Sequence, residues 1–215
     1  MLSRALRAGL LGLLLVAVPG CAPIVRVESR PALAGLAQPI AVIAMAPFTP
    51  TGRLAQPRAQ EGSESPSLAT SLVAHQVAEA LRTRVTVVPA EDIGRALGTE
   101  RAPLVRLVPA EVARLAAAEY GADAVLLGEV SRFVSRSGEA AGTLRPASVG
   151  FAVSLYAAPG GQLLWRAHFD ETQKALSENL FVTGRYPGRG TRWLTAEELS
   201  RWGAEATAAQ LPLGP

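Results

Sequence analysis

The chain has 215 residues, 49% of them hydrophobic and 18% charged, which is enough apolar material for one domain with a full core and excludes bulk disorder. Aromatics make up only 5%, against 20 Gly and 16 Pro, a mix of small core residues and frequent turns that excludes a coiled coil or fibre. Arg4 and Arg7 fall in the first 20 residues, which hold no acid, so the remainder carries 19 Lys+Arg against 18 Asp+Glu and shows no clustered basic face. Nucleic acid is thereby excluded as a partner.

The chain opens with a short positive segment, MLSRALR, followed by the uncharged apolar run AGLLGLLLVAV at residues 8–18. A bilayer-spanning helix needs about 20 apolar residues. This run is too short for that and fits the hydrophobic region of an export signal, so residues 1–20 are expected to be a signal peptide. Val18-Pro19-Gly20-Cys21 then resembles the lipobox of bacterial lipoproteins. The resemblance implies a diacylglycerol thioether on Cys21, cleavage before it, and acylation of the new amine, palmitate included. An ordinary signal-peptidase cut near Gly20 would place Pro23 close after the scissile bond, where its ring and missing N–H make a poor substrate. One acyl chain anchors weakly, at about 0.8 kcal/mol per buried CH₂, and two or more anchor stably. A lone cysteine also spares an exported domain any wrong disulfide. By bacterial sorting rules Ala22, where Asp would retain the protein at the inner membrane, points to the periplasmic face of the outer membrane.

Residues 21–38 read as the lipidated N-terminus and a tether, 39–210 as a single periplasmic α/β domain, and 211–215 as a tail. IAVIAMA (Ile40–Ala46) is a run of continuous apolar residues, the mark of a strand covered on both faces. Thr49–Pro66 is rich in Pro, Gly, Ser and Gln and predicts a long loop. Ser67–Arg84 places Leu68, Leu72, Val73, Val77, Ala80 and Leu81 on one helical face. A short strand at Val85–Val88 and one or two helical turns at Glu91–Leu97 come next. Pro109–Tyr120 is a second clear helix, with proline in its first turn and Gly121 at its C′ position. Ala122–Val130 predicts a strand reaching to about Ser135, and Ser137–Ala147 a connection.

Ser148–Ala157 alternates, with Val149, Phe151, Val153 and Leu155 on one face. Pro159-Gly160-Gly161 turns the chain, and Leu163, Trp165, Ala167 and Phe169 form the matching face of a return strand. Thr195-Ala196-Glu197-Glu198 is a capping box flanked by Leu194 and Leu199, opening a helix from Ala196 to about Ala209. The expected fold class is α/β: a mixed β-sheet with helices packed on it, βαβ(α)αβ, then an antiparallel hairpin and a C-terminal helix.

Catalytic signatures are sparse. His75 and His168 are the two histidines, and no HExxH or Cys/His cluster accompanies them, so no metal or other cofactor is expected. Neither GxSxG nor GxxxxGK[ST] occurs, and the glycines of TGRYPGRG lack the strand-before, helix-after setting of a phosphate loop. A small hydrolase would draw on His168, Asp170, Glu171 and Glu178, yet nothing in the sequence marks those carboxylates as buried. Phe181–Trp193 is richer in binding residues. There Arg185, Arg189 and Arg192 alternate with Tyr186 and Trp193 on a Gly/Pro scaffold, and arginine and aromatics carry interface energy. These five residues and the Thr49–Pro66 loop are the candidate partner-binding elements.

IAVIAMAPF leading into a helix, followed by AAAEYGADAVLLGEV, resembles a group of bacterial envelope lipoproteins. The group includes the curli-secretion lipoprotein CsgG, the LpoB-type activators of penicillin-binding proteins and the N-terminal domain of TolB. GQLLWRAHFDETQKALSENLF and RWLTAEEL further resemble uncharacterised lipoproteins of Gram-negative bacteria. The resemblance spans most of residues 40–202 and specifies fold better than activity. It implies a non-enzymatic periplasmic domain that docks an envelope protein in secretion or wall synthesis, with a subunit of an oligomeric secretion apparatus, a homo-oligomer, as the alternative. A membrane pore is disfavoured because the chain lacks an extra pair of long amphipathic strands.

Overall fold

The computed structural model describes residues 25–29, 39–56, 64–98, 107–139, 142–174, 186–187 and 192–213. In chain order the elements are β1 (Val25–Ser29), β2 (Val42–Met45), β3 (Thr49–Pro50), α1 (Pro66–Arg82), β4 (Thr86–Val88), α2 (Ala90–Ala96), α3 (Pro109–Tyr120), β5 (Ala124–Val134), β6 (Ser137–Gly138), β7 (Thr143–Arg145), β8 (Ser148–Ala157), β9 (Leu163–Thr172) and α4 (Ala196–Ala209). The mixed α/β architecture expected from the sequence is what forms.

The sheet runs β1-β9-β8-β5-β2-β4, with β3 also pairing β5. β2 lies parallel to both β4 and β5, whereas β5-β8, β8-β9 and β9-β1 are antiparallel. The apolar run at β2 is explained by burial on both faces. Ile43 and Met45 join the core under α1 and α4, and Ala44 and Ala46 join a second core under α2 and α3. β9 alternates between buried and more open positions, whereas β8 is buried along most of its length, with Ser148 and Ser154 buried on its second face. Phe151, Val153, Trp165, Ala167 and Phe169 are buried against the α1/α4 layer, while Asp170 on the opposite face is exposed. Three rings bind α4 to this surface: Phe151 and Phe169 lie 5.1 Å apart, and Phe169 meets Trp202 edge-on at 5.9 Å.

Helix ends follow the chemistry read from the sequence. Ser65 caps α1 through a hydrogen bond from the Leu68 N–H, Gly121 closes α3 in the left-handed conformation at φ 64°, and Thr195 with Glu198 forms a reciprocal capping box on α4. A different device holds the start of β2. Asp123, just before β5, accepts hydrogen bonds from the Ala41 and Val42 N–H groups through Oδ2, both at 2.9 Å.

Four expectations need correction. The tether of residues 21–38 is not a featureless linker, because Val25–Ser29 is an edge strand in register with Trp165–Phe169 and Val25 is buried. Its five residues are too few to carry a sustained period, and its register comes from pairing with β9. The tail does not begin at 211: Leu211 is buried and the Leu213 carbonyl accepts from the Ile40 N–H at 2.9 Å. The Thr49–Pro66 loop is partly structured, with Thr49 and Pro50 paired to Glu129 and Val130 and Leu54 buried. The connection at Ser137–Ala147 contains the small β6–β7 hairpin.

Candidate functional site

In the segment singled out for partner binding, residues 186–187 and 192–193 are described. Gln173, which is buried, clamps it twice: Oε1 accepts from the Leu194 N–H at 2.7 Å and Nε2 donates to the Arg192 carbonyl at 2.9 Å. The Tyr186 hydroxyl donates to Glu171 Oε1 at 2.6 Å, and its buried ring lies 5.3 Å from that of Trp202. Arg192 forks onto Glu198, Nη1 to Oε2 at 2.8 Å and Nη2 to Oε1 at 2.7 Å. That hydrogen-bonded pair raises the Arg192 pKa. With the capping bond from Thr195 it lowers the Glu198 carboxyl to about 2, against a modest opposing cost of burial. Trp193 is half-buried. Arg185, Arg189 and Cys21 lie outside the described residues. Of the candidate residues that are described, Tyr186 is buried and bonded to Glu171, while Arg192 is exposed and paired with Glu198.

The hydrolase grouping is separated by strand geometry. Successive residues of β9 point to opposite faces, so Asp170 and Glu171 cannot act as a pair. Asp170 lies on the open sheet face and bonds Arg132 Nη2 at 2.5 Å, while Glu171 receives the Tyr186 hydroxyl on the other. His168 shares the open face with Asp170, and Glu178 lies outside the described residues. Neither His168 nor either carboxylate lines a large cleft among the described residues.

The main concavity sits elsewhere, at the carboxyl ends of β2 and β4, where the chain leaves β2 for α1 on one face and β4 for α2 on the other. Such crevices are the usual ligand positions in open α/β sheets. Its volume is about 660 Å³, and Met45, Phe48, Ala74, Ala78, Pro89 and Leu107 give it an apolar wall. Polar groups at its rim are Ser67, Thr70, Ser71, His75, Arg82 and Glu91. Thr70 returns its hydroxyl to the Pro66 carbonyl at 2.9 Å, and Arg82 pairs with Glu79. Among the described residues no hydrogen bond joins His75 to Ser67, Ser71 or Glu91, so the cleft carries an apolar surface without an assembled nucleophile and base. No group of three or more His, Cys, Asp or Glu stands ready for a metal among the described residues, and no described helix is long and apolar enough to cross a membrane.

Sequence reasoning missed Gln173 and Asp123. A buried Gln in a strand-end QK dipeptide has no pattern to betray it, since its partners are 19 and 21 residues away. Asp123 stands inside the GADAVLLG stretch, but its partners on β2 are 81 and 82 residues distant.

The sequence matches no protein-family model and no curated protein. Solved structures to which the fold is similar include the lipoprotein GNA1162 from Neisseria meningitidis, at 17% identity, covering 62% of this chain and 84% of that one, with a TM-score of 0.41. They also include the PelC dodecamer from Paraburkholderia phytofirmans, at 17% identity, 87% and 97% coverage and a TM-score of 0.42. The LpoB C-terminal domain from Escherichia coli stands at 16%, 66% and 94%, and 0.37. These likenesses assign neither a family nor an activity to this chain.

Proposed function

We propose that this chain is an envelope lipoprotein, lipidated on Cys21 and held at the periplasmic face of the outer membrane, where its α/β domain docks an envelope protein without catalysing a reaction. The observation that carries the reading is the chain's single cysteine, placed directly after a basic leader and an apolar run too short to span a bilayer, in the setting Val18-Pro19-Gly20-Cys21. The domain's chemistry supports the non-catalytic part. His168 and Asp170 lie on one face of β9 and Glu171 on the other, and the cleft at the carboxyl ends of β2 and β4 has an apolar wall.

Because Tyr186 and Arg192 make internal bonds, the proposal assigns partner contact in this segment to Arg185, Arg189 and Trp193. Tyr186 and Arg192 hold that segment to the domain. Metabolic labelling with a palmitate analogue tests the reading. Wild type takes up label and Cys21→Ser does not; equal labelling of the two would remove the anchor.

A further inference from the structure

β1 changes where a lipid anchor would put the domain. Its direction is opposite to β5, because β1-β9, β9-β8 and β8-β5 are all antiparallel. The chain therefore enters the sheet at Val25 from the end at which β5 finishes. Val25 is in register with Phe169, Phe169 with Phe151, and Phe151 with Val130. Cys21 lies four residues before Val25, and at no more than about 3.6 Å per residue its backbone stays within about 14 Å of that row. From the same row β5 runs on from Val130 to Val134, about 13 Å at the rise of a strand. The four-residue reach from Val25 is thus long enough for the lipid attachment point to sit level with the far end of β5.

The fold presents exposed apolar side chains at that end. The β6–β7 hairpin follows β5 directly, and its Leu144 is 93% exposed, the most exposed large hydrophobic side chain among the described residues. Thr143 fixes the hairpin by donating its hydroxyl to the Ser137 carbonyl at 2.6 Å, with a second acceptor in the Arg145 carbonyl at 2.7 Å. Leu68, 55% exposed in the first turn of α1, stands at the same end, since the Glu64 N–H just before that helix donates to the Phe133 carbonyl of β5 at 3.3 Å. Arg136 and Arg145 flank the hairpin, both half-buried, with Arg136 Nη1 donating to the Gly138 carbonyl, and the acids Glu139 and Asp170 are exposed at the same end. A leucine this exposed, with arginines beside it, suits a phospholipid surface, where its side chain enters the acyl boundary.

We infer that the β6–β7 end of the sheet, led by Leu144, is a membrane-contact surface that seats the domain directly on the bilayer beside its anchor. The inference rests on the lipidation of Cys21 proposed above. The lipid supplies affinity, and Leu144 with its arginines sets orientation.

The test uses the full lipidated protein purified from cells and reconstituted into vesicles of phosphatidylethanolamine and phosphatidylglycerol. Leu144→Cys and, as a control on α3, the exposed Glu119→Cys are each labelled with an environment-sensitive maleimide dye. Cys21 in thioether linkage takes no dye, so labelling of the unsubstituted protein would mean that the lipidation reading itself has failed. With the anchor intact, the dye at 144 is expected to shift to the blue and to be quenched several-fold more than the dye at 119 by spin-labelled lipid. Equal quenching at 144 and 119 on vesicle-bound protein would overturn the membrane-contact surface while leaving the anchor standing. So would a blue shift at 144 that lipid-borne quencher does not touch, which would mean that protein covers the site.

Discussion

The Arg192 guanidinium grips the Glu198 carboxylate with two hydrogen bonds of 2.8 and 2.7 Å, and the same carboxylate caps α4 by accepting the Thr195 N–H at 2.9 Å. One acid thus ties the return segment to the helix start. Its pKa lies at about 2, below the ordinary 4.5, so its charge contributes stability that is fully present above pH 4.5 and is lost as pH falls through 2.

Glu198→Gln keeps a side-chain oxygen able to cap Thr195 but removes the charge. Because the pair is largely open to solvent, the loss at pH 7 is expected to be about 1 kcal/mol. The difference in thermal midpoint between wild type and Glu198→Gln should shrink as pH drops from 4.5 to 2. A difference constant over that window, read by circular dichroism, contradicts the assignment.

Phe48 occupies the space a side chain would need at Gly128: a Cβ there would lie 2.3 Å from its ring. Gly128→Ala is expected to cost about 2 kcal/mol by overpacking, despite the lower backbone entropy of alanine. Adding Phe48→Leu should return part of that loss, and a double-mutant cycle in urea measures the coupling. Strict additivity would place the strain elsewhere.

Asp123 holds two N–H groups of β2 through one oxygen. Asp123→Ala should cost about 1–2 kcal/mol, moderated by the exposure of the site, whereas Asp123→Asn keeps an acceptor and should cost less. Amide hydrogen exchange at Ala41 and Val42 reports the effect directly, and unchanged protection in the alanine variant counts against the bond.

The edge strand makes a sharp comparison possible. Val25 is 1% exposed and Val27 37%, although both lie on the same face of β1. Val25→Asp should destabilise by about 2–3 kcal/mol through burial of a charge, and Val27→Asp by much less. Equal and small effects in chemical denaturation would return β1 to the status of a linker.

These residues also mark what was legible in sequence. β8 and β9 were readable because every second residue turns an apolar side chain to the α1/α4 core, which enforces alternation in sequence. Thr195 and Glu198 were readable because a cap is a local event within four residues. Val25–Ser29 was not, since a five-residue edge strand leaves little pattern and borrows its register from β9, more than a hundred residues away. The aromatic and basic residues at 185–193 have the composition of a binding segment, but composition does not register that Tyr186 folds back onto Glu171 and Trp202.

Intact-mass spectrometry of the protein purified from the membrane fraction tests the central claim most directly. The mature chain should begin at Cys21 and exceed its polypeptide mass by a diacylglycerol group and an N-linked acyl chain, all carried by that residue. A chain that starts elsewhere, or that starts at Cys21 with a free thiol and stays in the soluble fraction, contradicts it.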